Sequence, residues 1–538
     1  MRRPSTLFGA VIGAVTSLPV MALAYLGQRT LSLPFPPFDI FDLMARLLPG
    51  PVITFGIDSM VAIIRGLKLG QISDLAKAGE RTMAILIFIV ISALFGALLS
   101  WIVRRTSQAS LVWSLGIGLG ATVLLLLVLV ALDKPGTSLA ISALWLGVLL
   151  LAWTYSMNYL LHVGPAAMRQ EPESPLTRRQ FLYLVGGGVV TVGLGSLALG
   201  QLGGSGATPS ASETATGAEA PDLSKTSGPA ASPPMEILKG RPDPAPGTRP
   251  ELTSTENFYS VDINAVPPRL NADSWSLQLE GLVDNPMTLT IDDIQSRPSF
   301  SQVITLSCIS NPIGGDLIST AVWTGIRLKD LLAEAGLQAG AKEIAIQSAD
   351  GFYESVPLAE AMDDRTLLVY EMNDEPLPFA HGFPLRIYIP DHYGMKQPKW
   401  IERMEVIDYE GDGYWVDRGW SATAVVNTTS VVDNVKADGS SSNVGSLPIG
   451  GIAYAGARGI SKVEVQIDEG DWVEAELIRP PLSPLTWVQW RYDWASTPGQ
   501  HTARVRAYDG SGSLQHVEAR GARPSGATGI DQLSFSVS

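Results

Sequence analysis

The chain has one cysteine, Cys308, and it stands where chemistry could be done. It closes an apolar run of Val303, Ile304, Thr305, Leu306 and Ser307 and opens a loop of Ile309, Ser310, Asn311, Pro312, Ile313, Gly314, Gly315 and Asp316. Strand ends that run into glycine loops favour sites, because the backbone can approach a ligand there. A thiolate is a soft ligand suited to a metal. Alone it builds neither a zinc cage nor an iron–sulfur cluster, though a single thiolate could serve a metal held mainly by an organic cofactor. A lone cysteine is more often a small buried hydrophobe, and the loop context weighs against that. Downstream, His381, Gly382, Pro384 and Arg386 precede Tyr393, Gly394, Met395, Lys396, Lys399 and Trp400. Such cations are commonly solvated. The glycine beside Lys396 points instead to anion binding, since a phosphate takes Arg or Lys together with close backbone N–H groups.

The elements around these residues divide the chain. Apolar runs at 7–27, 83–103, 111–132, 139–161 and 181–202 each exceed 20 residues and carry no Asp, Glu, Lys or Arg. A helix needs about 20 residues to cross roughly 30 Å of hydrocarbon, so five transmembrane helices are expected. Residues 51–69, broken by Asp58 and Arg65, read as an interfacial or re-entrant helix. Arg2 and Arg3, Arg104 and Arg105, and Arg169, Arg178 and Arg179 fall in alternate loops. That pattern puts the N-terminus inside and everything after the fifth span outside the cytoplasmic membrane. The long loop holding Arg46, Arg65, Lys68, Lys77 and Arg81 counts against it, although the charge rule weakens with loop length. Residues 177–182, from Thr177 through Arg178 and Arg179 to Leu182, resemble a twin-arginine export signal placed internally. That route carries folded, cofactor-loaded proteins; the plainer alternative is an ordinary basic flank.

The expected domains are a membrane domain at 1–202, a flexible linker rich in Gly, Ser, Ala, Thr and Pro at 203–250, an α+β domain at 251–420 and a β-sandwich at 421–538. Alternation at Val463, Val465 and Ile467, and again at Thr502, Arg504 and Arg506, followed by Asp/Gly turns, carries the sandwich. Trp472, Trp487, Trp490 and Trp494 read as core or interface aromatics. A formal charge of −14 argues against a nucleic-acid partner. Of five histidines only His162 lies near a span, so no haem is expected in this chain.

Residues 251–538 resemble the sulfite-oxidase family of molybdopterin enzymes. The resemblance rests on Asn257 to Tyr259, Trp275 to Leu289, Cys308 to Asn311, Trp323 to Gly325, His381 to Arg386 and Tyr393 to Trp400, in that order and spacing. It implies a molybdenum–molybdopterin cofactor with Cys308 as metal ligand and catalytic centre. It further implies cofactor contacts from Asn257, Tyr259, Ser348, His381, Arg386, Gly394, Met395 and Lys396. Tyr259, Ser348 and His381 would hydrogen-bond the cofactor, and Arg386 and Lys396 would pair its phosphate. The C-terminal sandwich is similar to the family's immunoglobulin-like dimerisation domain, which makes a homodimer an expectation. Animal and plant members follow the cysteine with substrate-binding arginines, whereas this chain has uncharged Asn311, Pro312, Ile313 and Gly314. The expected activity is oxygen-atom transfer on a small sulfur- or nitrogen-containing substrate, with a separate cytochrome or quinone-linked electron carrier. Two alternatives stay open: an S-oxide reductase of the methionine-sulfoxide type, and a non-catalytic surface binding protein.

Overall fold

The structure, a computed structural model, describes residues 4–31, 33–48, 52, 56, 59, 72–105, 110–132, 138–169, 177–181, 240–434 and 445–537. Two compact units emerge: Met1–Met60 with Leu75–Pro209 and Asp262–Pro267, and Val61–Asp74 with Ser210–Val261 and Pro268–Ser538.

The first unit is helical: α1 (Thr6–Leu31), α2 (Pro36–Leu47), α3 (Ile72–Arg105), α4 (Ser110–Leu132) and α5 (Leu139–Arg169). Four stretches, Thr6–Leu31, Lys77–Arg105, Leu111–Leu132 and Leu139–Met168, are long and apolar enough to cross a membrane. α3 runs upstream of its apolar part because Ala76, Lys77, Ala78 and Glu80 favour helix. Trp153 Nε1 on α5 donates to Thr16 Oγ1 on α1 at 2.9 Å. The sequence reading leaves out α2, which is too polar to register as a span. Its Asp42 Oδ1 accepts from Ala265 N at 3.0 Å. From α3, Lys77 Nζ donates to the carbonyls of Asp262 at 3.0 Å and Asn264 at 2.9 Å, which ties Asp262–Pro267 to this unit. The expected fifth span beyond Phe181, Leu182 of the twin-arginine-like motif, nearly all of the 51–69 helix and residues 203–239 of the linker lie outside the described residues.

The second unit begins with ten strands and three short helices. The strands are β1 (Leu277–Gly281), β2 (Met287–Leu289), β3 (Phe300–Ser307), β4 (Ile318–Arg327), β5 (Glu343–Ser348), β6 (Tyr353–Pro357), β7 (Leu367–Met372), β8 (Glu375–Pro376), β9 (Arg386–Tyr388) and β10 (Ile401–Ile407). The helices are α6 (Ile291–Gln295), α7 (Leu328–Ala335) and α8 (Leu358–Ala361). One sheet runs β2-β1-β10-β5-β6, with β1 and β10 parallel and the other pairs antiparallel. The other runs β3-β4-β7-β8, with β9 on β7.

Local signals explain the helices. Thr290 and Asp293 form a capping box at the start of α6, each side chain satisfying the other's backbone N–H. α7 lays Leu328, Leu331 and Leu332 into the core of the first sheet beside Leu277, Ile344 and Met404. Each such burial contributes about 1.5–3 kcal/mol. The helix stops at Gly336, whose N–H returns to Leu332 O at 3.1 Å. The second sheet has its own core of Ile304, Leu306, Trp323, Val369 and Tyr388, capped by Phe258.

Eight strands follow: β11 (Thr429–Asn434), β12 (Ser446–Tyr454), β13 (Ile460–Ile467), β14 (Val473–Glu474), β15 (Glu476–Leu477), β16 (Val488–Ala495), β17 (Gly499–Asp509) and β18 (Asp531–Val537). They make two four-stranded sheets, β11-β12-β16-β15 and β14-β13-β17-β18. Ile449, Ala453 and Trp490 of one meet Val463, Val465 and Val505 of the other in a shared core.

The linker reading needs correction at its end. Residues 240–250 pack on the sandwich rather than forming a free tether. Arg249 Nε donates to Asp433 Oδ1 at 2.7 Å, Gln489 Nε2 donates to Arg249 O at 2.8 Å, and Arg491 Nη1 donates to Asp243 O at 3.1 Å. Composition alone hides this, because a few charged and amide contacts hold a segment with almost no large apolar side chains.

Candidate active site

Cys308 lies one residue past the end of β3, and β3 is buried over its last five residues. The loop after it is closed on itself. Cys308 N–H donates to Leu317 O at 2.9 Å, Asn311 N–H donates to Cys308 O at 3.0 Å, and Asn311 Oδ1 accepts from Leu317 N at 3.0 Å. The thiol is buried, with Sγ 3.0 Å from Ser310 Oγ. Burial pushes the Cys308 thiol up from its ordinary pKa, and the Ser310 hydroxyl offsets part of that.

Tyr259 reaches the same neighbourhood from the chain's entry into the unit, where its N–H donates to Ser319 Oγ at 3.2 Å. Burial, then the charge of Cys308, holds the phenol well above its usual value, and Arg386 pulls the other way. The phenol therefore keeps its proton at neutral pH and can donate it in a hydrogen bond. Gly394 abuts this hydroxyl: a Cβ there would lie 3.0 Å from Tyr259 Oη and 3.7 Å from Ser307 O. Only glycine leaves the gap open.

Arg386 opens β9 and is 5% exposed. Its Nη1 donates to His381 O at 3.1 Å, and its guanidinium carbon lies 4.8 Å from the centre of the Trp323 ring. The His381 imidazole stands edge-on to Phe258 with centroids 5.4 Å apart. Lys399 Nζ donates to Ala380 O at 2.9 Å and Val261 O at 3.3 Å, which fixes the turn before His381.

Tyr259, Cys308, His381, Arg386 and Gly394 are thus gathered in one neighbourhood. Ser348 ends β5 opposite Ile401, its buried Oγ without a hydrogen-bond partner among the described residues. Three expectations change. Asn257 is exposed and its amide bonds back to Ser254 Oγ at 2.8 Å, so it caps a local turn and the inward residue there is Phe258. The Met395 side chain is core, packed with Tyr393, Ile309 and Trp420, which leaves only its backbone for a ligand. Lys396 is not a waiting cation: Nζ donates to Glu354 Oε1 at 2.6 Å and to Ser355 O at 3.3 Å. The sequence reading missed Glu354. The signal was there, since Glu354 shares a strand face with Val356. It also assigned no role to Ser310 or to the buried Trp323 Nε1, which has no hydrogen-bond partner among the described residues.

These residues fit a sulfur-ligated metal carried by an anionic organic cofactor. A buried thiol, a buried guanidinium, an orphaned hydroxyl and an orphaned indole N–H are donors an apolar ligand could not use. Among the described residues there is no group of three or more His, Cys, Asp or Glu able to hold a metal without such help.

Comparison with known proteins agrees. Residues 263–415 match the oxidoreductase molybdopterin binding domain family. The mitochondrial sulfite oxidase of Drosophila melanogaster is 29% identical over 302 residues, 48% of this chain and 52% of that protein. The sulfite oxidase of Arabidopsis thaliana is 30% identical over 283 residues, 43% of this chain and 71% of that protein. The putative protein-methionine-sulfoxide reductase subunit YedZ1 of Azospira oryzae is 30% identical over 152 residues, 28% of this chain and 56% of that protein. The chain spans about half the length of the Drosophila relative. With a cysteine loop, a buried arginine and these relatives together, the chain belongs to the sulfite-oxidase family of molybdopterin-dependent oxidoreductases, and its cofactor is the molybdenum cofactor.

Proposed function

We propose that this chain catalyses oxygen-atom transfer on a small sulfur- or nitrogen-containing substrate, at a molybdenum atom whose protein ligand is Cys308. The observation that carries this is the Cys308 thiol, buried at the end of β3 in a loop locked by Asn311, beside Tyr259 and Gly394. When bound, the cofactor supplies two-electron oxygen-atom chemistry. The chain supplies the sulfur of Cys308, a guanidinium from Arg386 for the phosphate and hydrogen bonds from Tyr259, Ser348 and His381. Of Gly394, Met395 and Lys396 it offers the backbone edge. The protonated Tyr259 hydroxyl donates toward the reacting region.

One observation favours S- or N-oxide reduction over sulfite oxidation. The loop after Cys308 carries no Lys or Arg over Asn311–Gly314. An oxyanion gains most from charge-assisted hydrogen bonds. A neutral S-oxide does not depend on them. Its reduction takes two electrons and two protons and releases the sulfide and water. The electrons come from a separate cytochrome or quinol carrier. The reading includes a cytoplasmic-membrane anchor, a catalytic unit on the outer side exported by the twin-arginine route, and a homodimer formed through an immunoglobulin-like C-terminal sandwich. The four membrane-compatible helices support the anchor.

The test is the full chain purified in detergent from cells able to build the pterin. Stoichiometric molybdenum and pterin are expected, together with oxidation of a reduced dye that depends on an added S-oxide. Activity with sulfite and cytochrome alone would reverse the direction. Absence of both metal and pterin would overturn the proposal and favour a binding protein. Cys308→Ser, which replaces a soft ligand by a hard one, is expected to drop turnover to background while the chain still folds. Wild-type turnover in that variant would remove Cys308 from the metal.

A further inference from the structure

We propose that Glu354 is a positioning residue for the cofactor cradle, because its carboxylate holds Lys396 and with it the Gly394–Lys396 turn against Tyr259 and the strand end that bears Cys308. This rests on the reading of Tyr259, Gly394 and Cys308 as that cradle.

The pair is buried: Glu354 is 1% exposed and Lys396 is 6% exposed. Lys396 Nζ lies 2.6 Å from Glu354 Oε1, which also accepts Ser355 N–H at 3.0 Å. The second carboxylate oxygen, Oε2, has no hydrogen-bond partner among the described residues. Such a pair is a poor source of stability. Two ions leave water, and their attraction repays that cost only if the remaining lone pairs are satisfied. Here one oxygen is not. Burial raises the Glu354 carboxyl more than Lys396 lowers it. An apolar pair would hold β6 to the turn at smaller cost, so placement of a charge is the better reason for this one.

The geometry shows what is placed. Glu354 is fixed by β6, where it pairs with Ile346 of β5. The loop after β10 closes over it: a Cβ at Gly413 would overlap Glu354 Oε1, so only a bare backbone fits there. Lys396 is the last residue of the one-turn helix Gly394–Lys396, whose first residue lies against Tyr259 Oη and Ser307 O. Glu354 therefore fixes one end of a turn whose other end walls the site. Lys396 has three N–H donors, and Glu354 and Ser355 take two. One N–H donor is left over from these contacts, with the Lys396 charge already paired by Glu354.

The test compares wild type, Glu354→Gln and Glu354→Asp as full-length, cofactor-loaded chains. Three readouts are needed: melting temperature, loss of molybdenum and pterin on dilution, and the Mo(V) electron paramagnetic resonance signal of the chains that stay loaded. Glu354→Gln is expected to lose cofactor roughly tenfold faster, the size of effect seen when an outer partner of a metal site is removed. The signal of the loaded fraction should also be altered. If Glu354→Gln does not fold, Glu354→Asp carries the test. It keeps the charge but draws the carboxylate back by one methylene, and the same two changes are expected. A variant that melts lower yet keeps the wild-type dissociation rate and signal would make the pair purely structural and overturn the proposal. A wild-type chain without molybdenum would instead defeat the functional reading, and that result is seen before any variant is made.

Discussion

The cofactor-binding sheets and the C-terminal sandwich are both β-rich parts of one unit, yet they treat cations in opposite ways. In the sandwich the cations lie on a sheet face and neutralise one another's neighbours. Arg506 Nε donates to Glu464 Oε2 at 2.7 Å, Lys462 Nζ donates to Glu464 Oε1 at 2.7 Å, and Tyr508 Oη donates to Glu464 Oε2 at 3.1 Å. Arg506 also covers the Trp472 ring at 4.2 Å. Beneath them the core is apolar around Trp490. In the cofactor-binding part, His381, Arg386, Lys396 and Glu354 are all buried. Desolvating charges costs several kcal/mol each, and a fold does not need it for stability. The sandwich shows how this chain handles charge when only folding is at stake. The other region departs from that pattern where its ligand belongs.

The contrast breaks or holds most sharply at the two arginines. Arg386→Met is expected to lower molybdenum and pterin content roughly 10- to 100-fold, the range for losing an anchoring partner of a metal site. Arg506→Met in the sandwich is expected to leave that content unchanged, since its half-buried pair with Glu464 lies among sandwich residues. Metal analysis of the two purified chains decides it. Equal losses would mean that Arg386 acts only through stability.

Trp490→Ala probes the other side of the comparison. Trp490 is fully buried between the two sandwich sheets. Its truncation is expected to cost about 3–5 kcal/mol through lost transfer energy and a cavity. Thermal unfolding reads that cost. Cofactor content per folded chain should stay at the wild-type value, and a fall would tie the sandwich core to the site.

Legibility in the sequence follows the same division. A feature written locally came through: the alternation of Val463, Val465 and Ile467 became β13. Long-range pairings did not. Nothing local announces that Gln278 pairs in parallel with Arg403, or that Arg249 finds Asp433. The site shows both cases. Cys308, Tyr259 and Arg386 come together as the family resemblance implied, because strand ends and glycine turns place them. Asn257 failed because a side chain two residues from Tyr259 can as easily cap its own turn as face inward. The sequence offers Lys396 as a phosphate cation because its partner, Glu354, lies 42 residues away.

The smallest expected effect concerns a buried titratable group beside this region that belongs to neither pattern. His392 is buried, with Nδ1 2.7 Å from Pro390 O and Nε2 3.3 Å from Glu360 Oε1. Burial lowers its pKa, but the Glu360 hydrogen bond and charge and the Pro390 carbonyl outweigh that, so the imidazole titrates above its ordinary value, even though the charge of Lys396 opposes it. A group that binds its proton more tightly when folded stabilises the fold fully below its unfolded pKa of about 6.5. That contribution is lost as pH rises through the higher folded value. The wild-type chain is therefore expected to melt lower at pH 8.5 than at pH 6, with His392→Gln flattening that slope by removing the low-pH advantage. Unfolding scans of both chains at pH 5.5, 7 and 8.5 check this. Parallel slopes would show that His392 is neutral throughout, and that Arg386 and Lys396 are the buried cations among the described residues of this region.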